Sequence, residues 1–361
     1  MRSLGHVQSV VERRNTIPIL SNVKIEAVDG KVALNATDMD LDIIEHVDVD
    51  IERPGAITAP AHTLYDIVRK LPDGSDIVFD ADGDGQLVLK AGRSRFTLPV
   101  LPTEDFPVLS AGDLGNGFSL TAAELRALID HTRFAISTEE TRYYLNGIYL
   151  HKADRDGIPV LRAVATDGHR LASTEMALPA GAENMPGVIV PRKTVAELRK
   201  LIDETGVEIE VTLSENKIRF AFDDAIMTSK LIDGTFPDYQ RVIPMGNDKE
   251  LDVNCRLFSD AVDRVSAISS EKSRAIKLAV GGGVLTLSAS SPEFGSAVEE
   301  LEISYQGEPL EIGFNAGYLL DIMRQIDGED VRLVMADGAS PTILREVDDE
   351  SALYVLMPMR V

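Results

Sequence analysis

PRKTVAELRKLI, residues 191–202, decides the fold, because its pattern occurs three times at nearly constant spacing. With Pro60, Pro191 and Asn315 as common origins, 131 and then 124 residues apart, the apolar positions coincide without gaps. Leu64, Ile67 and Leu71 match Val195, Leu198 and Ile202, and then Leu319, Ile322 and Ile326. The spacing is i, i+3, i+7, one stripe of an amphipathic helix. The opposite face repeats as well. An acid at Asp66, Glu197 and Asp321 precedes by three residues a cation at Arg69, Lys200 and Arg324. Such spacing makes an ion pair along a helix. The chain therefore holds three similar units of roughly 120 residues, each the size of a domain.

A second register agrees with the first. Ala36-Thr37-Asp38 returns as Ala165-Thr166-Asp167 and, more loosely, as Ala289-Ser290-Ser291, spaced 129 and 124. A chain of 361 residues with 44% hydrophobic content can bury several cores. Cys255 is the only cysteine, which excludes a disulfide framework or a thiolate metal cluster and predicts a buried, reduced thiol. No apolar run of about 18 residues occurs, and MRSLGHVQSVVERRN lacks the features of a signal peptide, so a soluble, cytoplasmic protein without membrane contact is expected. The formal charge of −23 argues against holding nucleic acid by bulk attraction, which needs Lys and Arg on phosphates. Any such contact must be local, weak, or enforced by topology.

Along the chain, Leu4, Val7, Val10 and Val11 predict a helix at the very beginning that ends near Arg13 and Arg14. Units two and three have a strand before the matching helix; here either the true start lies upstream or the first sheet has an incomplete edge. Asp29-Gly30 predicts a hairpin turn. A meander over 77–80, 86–91 and 95–98 follows the second helix. Asp80, Asp82, Asp84 and Gly85 match the start of a calcium loop, but position 12 is Ala91 and the flanks are strands, so a turn is expected. A linker covers 109–117; Thr121 and Glu124 form a capping box for a helix over 122–131. The second helix of this unit is expected over 192–204, with strands around Ile209, Ile218 and Ile226. In unit three, helices are expected over 257–268 and 316–326 and strands over 275–280, 284–289 and 297–304, with two closing strands. Gly281 to Gly283 reads as a hairpin rather than a phosphate loop.

Catalysis has one candidate constellation, Asp167 and His169, whose nucleophile would be Ser173 or Thr174 without an elbow motif around it. No phosphate loop, dinucleotide fingerprint or helical pair of histidines is present, so neither cofactor nor metal is expected. The residues favour binding over chemistry. The Met-rich apolar tail, with Arg170 and Leu171, suits either a sheet edge or an adaptable groove.

RYYLNGIYL (142–150), ATDGHRLA (165–172), VPRK (190–193), SKLIDGTFPDY (229–239) and MPMR (357–360), in this order on three repeats, resemble the bacterial replicative sliding clamps, the beta subunits of DNA polymerase III. The likeness covers the whole chain except its start. It implies an α+β fold of three DNA-clamp domains, 1–112, 113–246 and 247–361, each with two helices and two antiparallel sheets, closing into a ring as a head-to-tail homodimer. A ring threaded on duplex DNA is held by topology, which resolves the charge problem.

The resemblance further implies that Arg69, Lys200 and Arg324, with Lys193, Arg199, Arg126 and Arg264, face the hole. Direct DNA contacts would fall at Arg14 and in the loop before the paired tyrosines, at Arg142 and Tyr143, where Glu139 weakens them by repelling phosphate. A pocket for short peptides would take Tyr144, Leu145, Thr166, Gly168, His169, Arg170 and Leu171. Pro237, Arg241, Val242, Asn315 and Tyr318 would continue it, and the tail Val355, Leu356, Met357, Pro358, Met359 and Arg360 would complete it. Apolar walls would accept a leucine or phenylalanine, and Arg170, Arg241 and Arg360 would orient carboxylates or carbonyls. For the ring contact, an edge with Arg93 and Arg95 would meet one with Glu299, Glu300 and Glu302, near Ile268. The partners implied are double-stranded DNA without sequence specificity, a second copy, the replicative polymerase, the clamp loader, and other polymerases and repair proteins. The alternatives are a peptide-binding scaffold that never meets DNA and a hydrolase using Asp167 and His169.

Overall fold

A computed structural model describes residues 1–82, 85–109, 112, 114–203, 206, 208–269 and 274–360. Asp84, a member of the calcium-like run, lies outside them. Two compact units emerge, 1–125 with 179–231 and 126–178 with 232–361. Six helices occur among the described residues: α1 Arg2–Val10, α2 Ala61–Val68, α3 Ala122–Arg133, α4 Arg192–Ile202, α5 Cys255–Ser266 and α6 Ala316–Met323.

The first unit is built on an eight-stranded antiparallel sheet. Its order is Gly55–Pro60, Asn22–Val28, Lys31–Thr37, Leu41–Asp48, Ala225–Lys230, Lys217–Phe222, Glu208–Leu213 and Asn116–Thr121. Strand character follows from alternation: in Lys217–Phe222, Ile218, Phe220 and Phe222 are buried and the residues between them less so. Asp29 and Gly30 turn the first hairpin with φ of 50° and 78°, the left-handed pair such a two-residue loop demands. α1 buries Leu4, Val7 and Val10, and α4 buries Val195, Leu198, Leu201 and Ile202. A separate three-stranded meander, Val78–Asp82, Gln86–Ala91 and Ser94–Pro99, completes this unit.

The second unit repeats the design. Its long sheet continues in the order Gly147–Arg155, Ile158–Thr166, Arg170–Ala177, Ala352–Leu356, Thr342–Glu346, Asp330–Met335 and Lys249–Asn254. A four-stranded sheet runs Gly295–Glu302, Val284–Ser291, Ala275–Gly281 and Leu310–Asn315. Gly282 and Gly283 make the hairpin turn there, with φ of 60° and 80°.

Repeats are joined by shared sheets. Leu41–Asp48 pairs with Ala225–Lys230, setting Leu41 opposite Ser229. The corresponding Arg170–Ala177 pairs with Ala352–Leu356, setting Arg170 opposite Leu356. By the repeat, a third junction would join Gly295–Glu302 to Ser94–Pro99, yet each stands at the edge of its own sheet among the described residues. The opening strands Asn116–Thr121 and Lys249–Asn254 pair with the strands after α4 and α6. Val78–Asp82, the counterpart after α2, has no such neighbour among the described residues, and Val78 is 54% exposed.

Several expectations are corrected. The shared stripe outruns two helices, because α2 stops at Val68 and α6 at Met323, so Leu71 and Ile326 lie beyond them. Both ends tighten into i to i−3 bonds, Lys70 N to Ile67 O at 3.1 Å and Gln325 N to Ile322 O at 2.9 Å. α5 begins two residues earlier than expected because the Asn254 side chain accepts from Leu257 N and caps it. α3 continues to Arg133 behind the expected capping box, Thr121 N to Glu124 Oε2 at 2.8 Å and Glu124 N to Thr121 Oγ1 at 3.2 Å. The strand Leu310–Asn315 was not anticipated, and three strands rather than two close the chain, since Ala352–Leu356 completes the sheet. Cys255 is buried, and burial pushes its thiol up.

Candidate functional site

Four pieces of the second unit meet around the Thr166 to Arg170 turn. Thr166 Oγ1 donates to Arg170 O at 2.7 Å and accepts from Gly168 N at 3.1 Å. Asp167 Oδ1 accepts from His169 N at 2.9 Å and Arg170 N at 3.0 Å. This is an Asx turn, so the Asp167 carboxylate serves the backbone. Gly168 sits at φ 88°, where a Cβ would stand 2.5 Å from Arg142 Nη1. Ser173 and Thr174 are buried at 8% and 4% exposure, so the hydrolase reading finds no accessible nucleophile here.

Arg170 ties the turn to its surroundings. Its Nη1 donates to Asp321 Oδ2 at 2.6 Å, Nη2 to Phe134 O at 2.6 Å and Nε to Asp167 Oδ2 at 3.2 Å. The guanidinium lies 5.1 Å from the Phe134 ring and 4.5 Å from that of Tyr318. A fork with three acceptors and two aromatic faces can act as a strut. Asp321, unrecognised in the sequence as its partner, bridges Arg170 and Arg324, the latter at 2.8 Å. On α6, Asn315 Oδ1 accepts from Tyr318 N at 3.3 Å, a cap. Tyr318 stacks on His169 with centroids 6.2 Å apart, and burial pushes its hydroxyl up.

The tail crosses this assembly. Met357 N donates to His169 O at 3.0 Å and Met359 N to Gly313 O at 2.8 Å. Met357 is 41% exposed, Pro358 and Met359 are half-buried, and Arg360 is exposed. Pro237, Arg241 and Val242 are exposed around a short helical turn, with Arg241 Nε 2.7 Å from Asp238 Oδ2. Tyr144 meets Tyr143 edge-on at 5.8 Å and packs against Gly234. Leu145, Leu171, Val355 and Leu356 are at most 4% exposed, so they form the floor beneath the surface. The turn and the tail thus present an apolar, Met- and aromatic-bearing surface that ends in the exposed Arg360, of a chemistry suited to a short apolar segment.

The nucleic-acid candidates are placed as follows. Arg142 is clasped by Glu139, Nε to Oε2 at 2.8 Å and Nη2 to Oε1 at 2.5 Å. That bond raises the guanidinium's pKa and holds the Glu139 carboxyl below its ordinary value. Tyr143 beside it is 53% exposed. Arg69, Lys200 and Arg324 each take the acid three residues earlier at 2.8 Å, the ion pair that the spacing predicted. Lys193 binds Asp38, Val10 O at 3.1 Å and Glu12 at 3.4 Å; Arg199 pairs with Asp203. Arg126 is half-buried and Arg14 exposed. Arg264 forks onto Glu299 at 2.5 and 3.0 Å, which engages two residues assigned to different surfaces. Arg93, Arg95, Glu300 and Glu302 are exposed, and Ile268 is half-buried. No helix is long and apolar enough to cross a membrane among the described residues, and no group of three or more acid, histidine or cysteine side chains could hold a metal ion there.

Three copies of a helix-and-sheet unit, joined through shared sheets, define the clamp class of proteins. The chain belongs to the DNA polymerase III beta subunit family: its N-terminal, central and C-terminal domain models match residues 1–110, 119–238 and 240–360. It is 56% identical to the beta sliding clamp of Caulobacter vibrioides and 39% to that of Escherichia coli, covering 100% of this chain and 97% of each relative. Among solved structures, it resembles the sliding clamp of Bartonella birtlesii bound to griselimycin, at 53% identity and TM-score 0.97, covering 100% of this chain and 96% of that one. The sliding clamp of Pseudomonas aeruginosa matches at 40% identity and TM-score 0.93, covering 99% and 96%.

Proposed function

We propose that the chain is a processivity clamp: two copies close head to tail into a ring that encircles duplex DNA and tethers polymerases and repair proteins through the groove. The observation that carries this reading is the unmade third junction. Two antiparallel junctions of one kind are completed within the chain, and the strands for a third, Gly295–Glu302 and Ser94–Pro99, are left as edges. A second copy supplies each with its partner, and a heterologous contact that closes on itself generates a ring. Exposed Glu300 and Glu302 on one edge and Arg93 and Arg95 on the other favour the pairing, each exposed pair contributing at most about 1 kcal/mol.

Enclosure also accounts for a charge of −23 on a protein of DNA. A ring held by topology needs little counterion-release affinity, and tight contacts would oppose sliding. We assign 1–112, 113–246 and 247–361 as the three domains. The exposed Arg14, Lys200 and Arg324 serve as weak phosphate contacts, with Arg142 and Tyr143 as a local one. Polymerase and clamp-loader peptides enter the groove by an apolar anchor. No catalytic step is assigned to the chain.

The test is retention on DNA. The particle measures twice the 39.3 kDa of one chain in solution. It stays on nicked circular DNA and leaves when the circle is linearised; equal retention on both forms refutes enclosure. Deleting residues 357–361 abolishes binding of a leucine-phenylalanine peptide without unfolding the chain. Unchanged affinity refutes the groove.

A further inference from the structure

The groove segment around Pro237 rests on a hydrogen-bond chain that no peptide contact explains. His151, Arg162 and Glu175 stand directly opposite one another on three adjacent strands. Phe236 and Tyr239, at 8% and 6% exposure, are buried on either side of the exposed Pro237 and Asp238. Phe236 stacks on Tyr149 at 4.9 Å, and Tyr149 on His151 at 4.4 Å. Tyr239 meets His151 edge-on at 5.8 Å and opens the helical turn Tyr239–Val242 that presents Arg241 and Val242.

The donors can be assigned without ambiguity. His151 Nδ1 lies 2.8 Å from Lys152 O, and a carbonyl only accepts, so Nδ1 carries the proton. Nε2, 3.1 Å from the Tyr239 hydroxyl, then accepts from it. The hydroxyl oxygen accepts in turn from Arg162 Nη1 at 3.1 Å. Arg162 Nε and Nη2 reach Glu175 Oε2 at 2.7 and 2.6 Å, and Arg155 Nη1 reaches its other oxygen at 3.3 Å. The chain thus runs Glu175, Arg162, Tyr239, His151, Lys152 carbonyl, with each hydrogen in one place.

We propose that His151, Tyr239 and Arg162 are positioning residues for the peptide groove, fixing the Tyr239–Val242 turn while His151 is neutral and releasing it when His151 takes a second proton. This rests on the peptide-binding reading above. A protonated Nε2 points a hydrogen at the hydroxyl, whose own hydrogen then loses its acceptor. Burial above all keeps His151 from charging in the ordinary range; the Lys152 carbonyl favours the charged form and Arg162 opposes it. The other titratable or charged groups facing the cluster are Glu175, Arg155, Tyr149 and Tyr239.

Tyr239→Phe removes the hydroxyl and keeps the ring. Fluorescence anisotropy with a labelled synthetic peptide bearing a leucine-phenylalanine anchor gives the ratio of wild-type to variant affinity. The ratio is about fivefold near pH 8, the worth of one net hydrogen bond, and falls to about one at the lower pH where NMR of the His151 ring shows it charged. His151→Gln, which offers Tyr239 an acceptor but cannot charge, matches wild type near pH 8 and binds more tightly than wild type once the wild-type His151 is charged. A ratio of one near pH 8, or a fivefold ratio persisting after the His151 ring is charged, overturns the proposal. The variant lacking residues 357–361 separates the two readings. If it still binds the peptide, the groove itself is wrong. If it fails to bind while Tyr239→Phe binds like wild type throughout, only the positioning role is wrong.

Discussion

Replacing Arg170 by alanine separates a strut from a ligand contact. Three charge-assisted bonds are lost, two at 2.6 Å and one at 3.2 Å, together with cation contacts to two rings. Removing one partner of a buried ion pair costs about 3–5 kcal/mol, because the other is left uncompensated. The Asp321 side chain is 32% exposed and rehydrates in part, whereas Asp167 at 18% and the Phe134 carbonyl recover less. The expected net cost is therefore about 3 kcal/mol for alanine and about 2 kcal/mol for lysine, which keeps the charge but not the fork. The chain has no tryptophan, so urea unfolding is followed by far-ultraviolet circular dichroism. Native-state hydrogen exchange reports the Gly168 and Met357 amides, which exchange faster in both variants. Peptide binding falls with stability. An Arg170→Ala protein with an unchanged urea midpoint and no peptide binding refutes the strut, since the side chain would then have been a direct ligand contact.

Asp42, 4% exposed between two strands, is pushed up to about 7 by burial, against a bond from Asn35 that lowers it. The native state thus holds a proton that the unfolded chain releases at lower pH, so rising pH removes stability between roughly pH 4 and 7, by on the order of 4 kcal/mol in total. Asp42→Asn is more stable than wild type near pH 8 and equal to it near pH 4; a variant weaker at pH 8 contradicts this. Gly168→Ala forces a side chain onto φ 88° and displaces the Arg142 guanidinium, costing about 1–2 kcal/mol and loosening the 166–170 turn, read as faster amide exchange there and weaker peptide binding.

The repeat was legible because amphipathic spacing survives in each copy: the corresponding Leu64, Val195 and Leu319 are all buried helix positions. Helix ends were not, since Arg69 and Arg324 cap helices whose final bonds tighten beyond the apolar pattern. Leu310–Asn315 escaped notice because Ile312, Gly313 and Phe314 are buried in succession, without alternation. Site membership came from motif resemblance; side-chain roles did not. Arg170 finds its partner 151 residues away and Lys193 finds Asp38 155 residues away, distances at which only the folded chain brings charges together. The capping box and the three helical ion pairs, all made within four residues, were read correctly for the converse reason.

The two bare strands carry opposite electrical signs, and this orders assembly. When two Gly295–Glu302 margins approach each other, acid meets acid at Glu300 and Glu302; when two Ser94–Pro99 margins do, Arg95 meets Arg95. On the closure proposed above, like charge disfavours both encounters, so a bare strand, usually an invitation to aggregate, here favours its unlike counterpart. The completed seams, by contrast, are tethered within one polypeptide and do not loosen on dilution. Low concentration and high salt therefore act on the intermolecular closures alone.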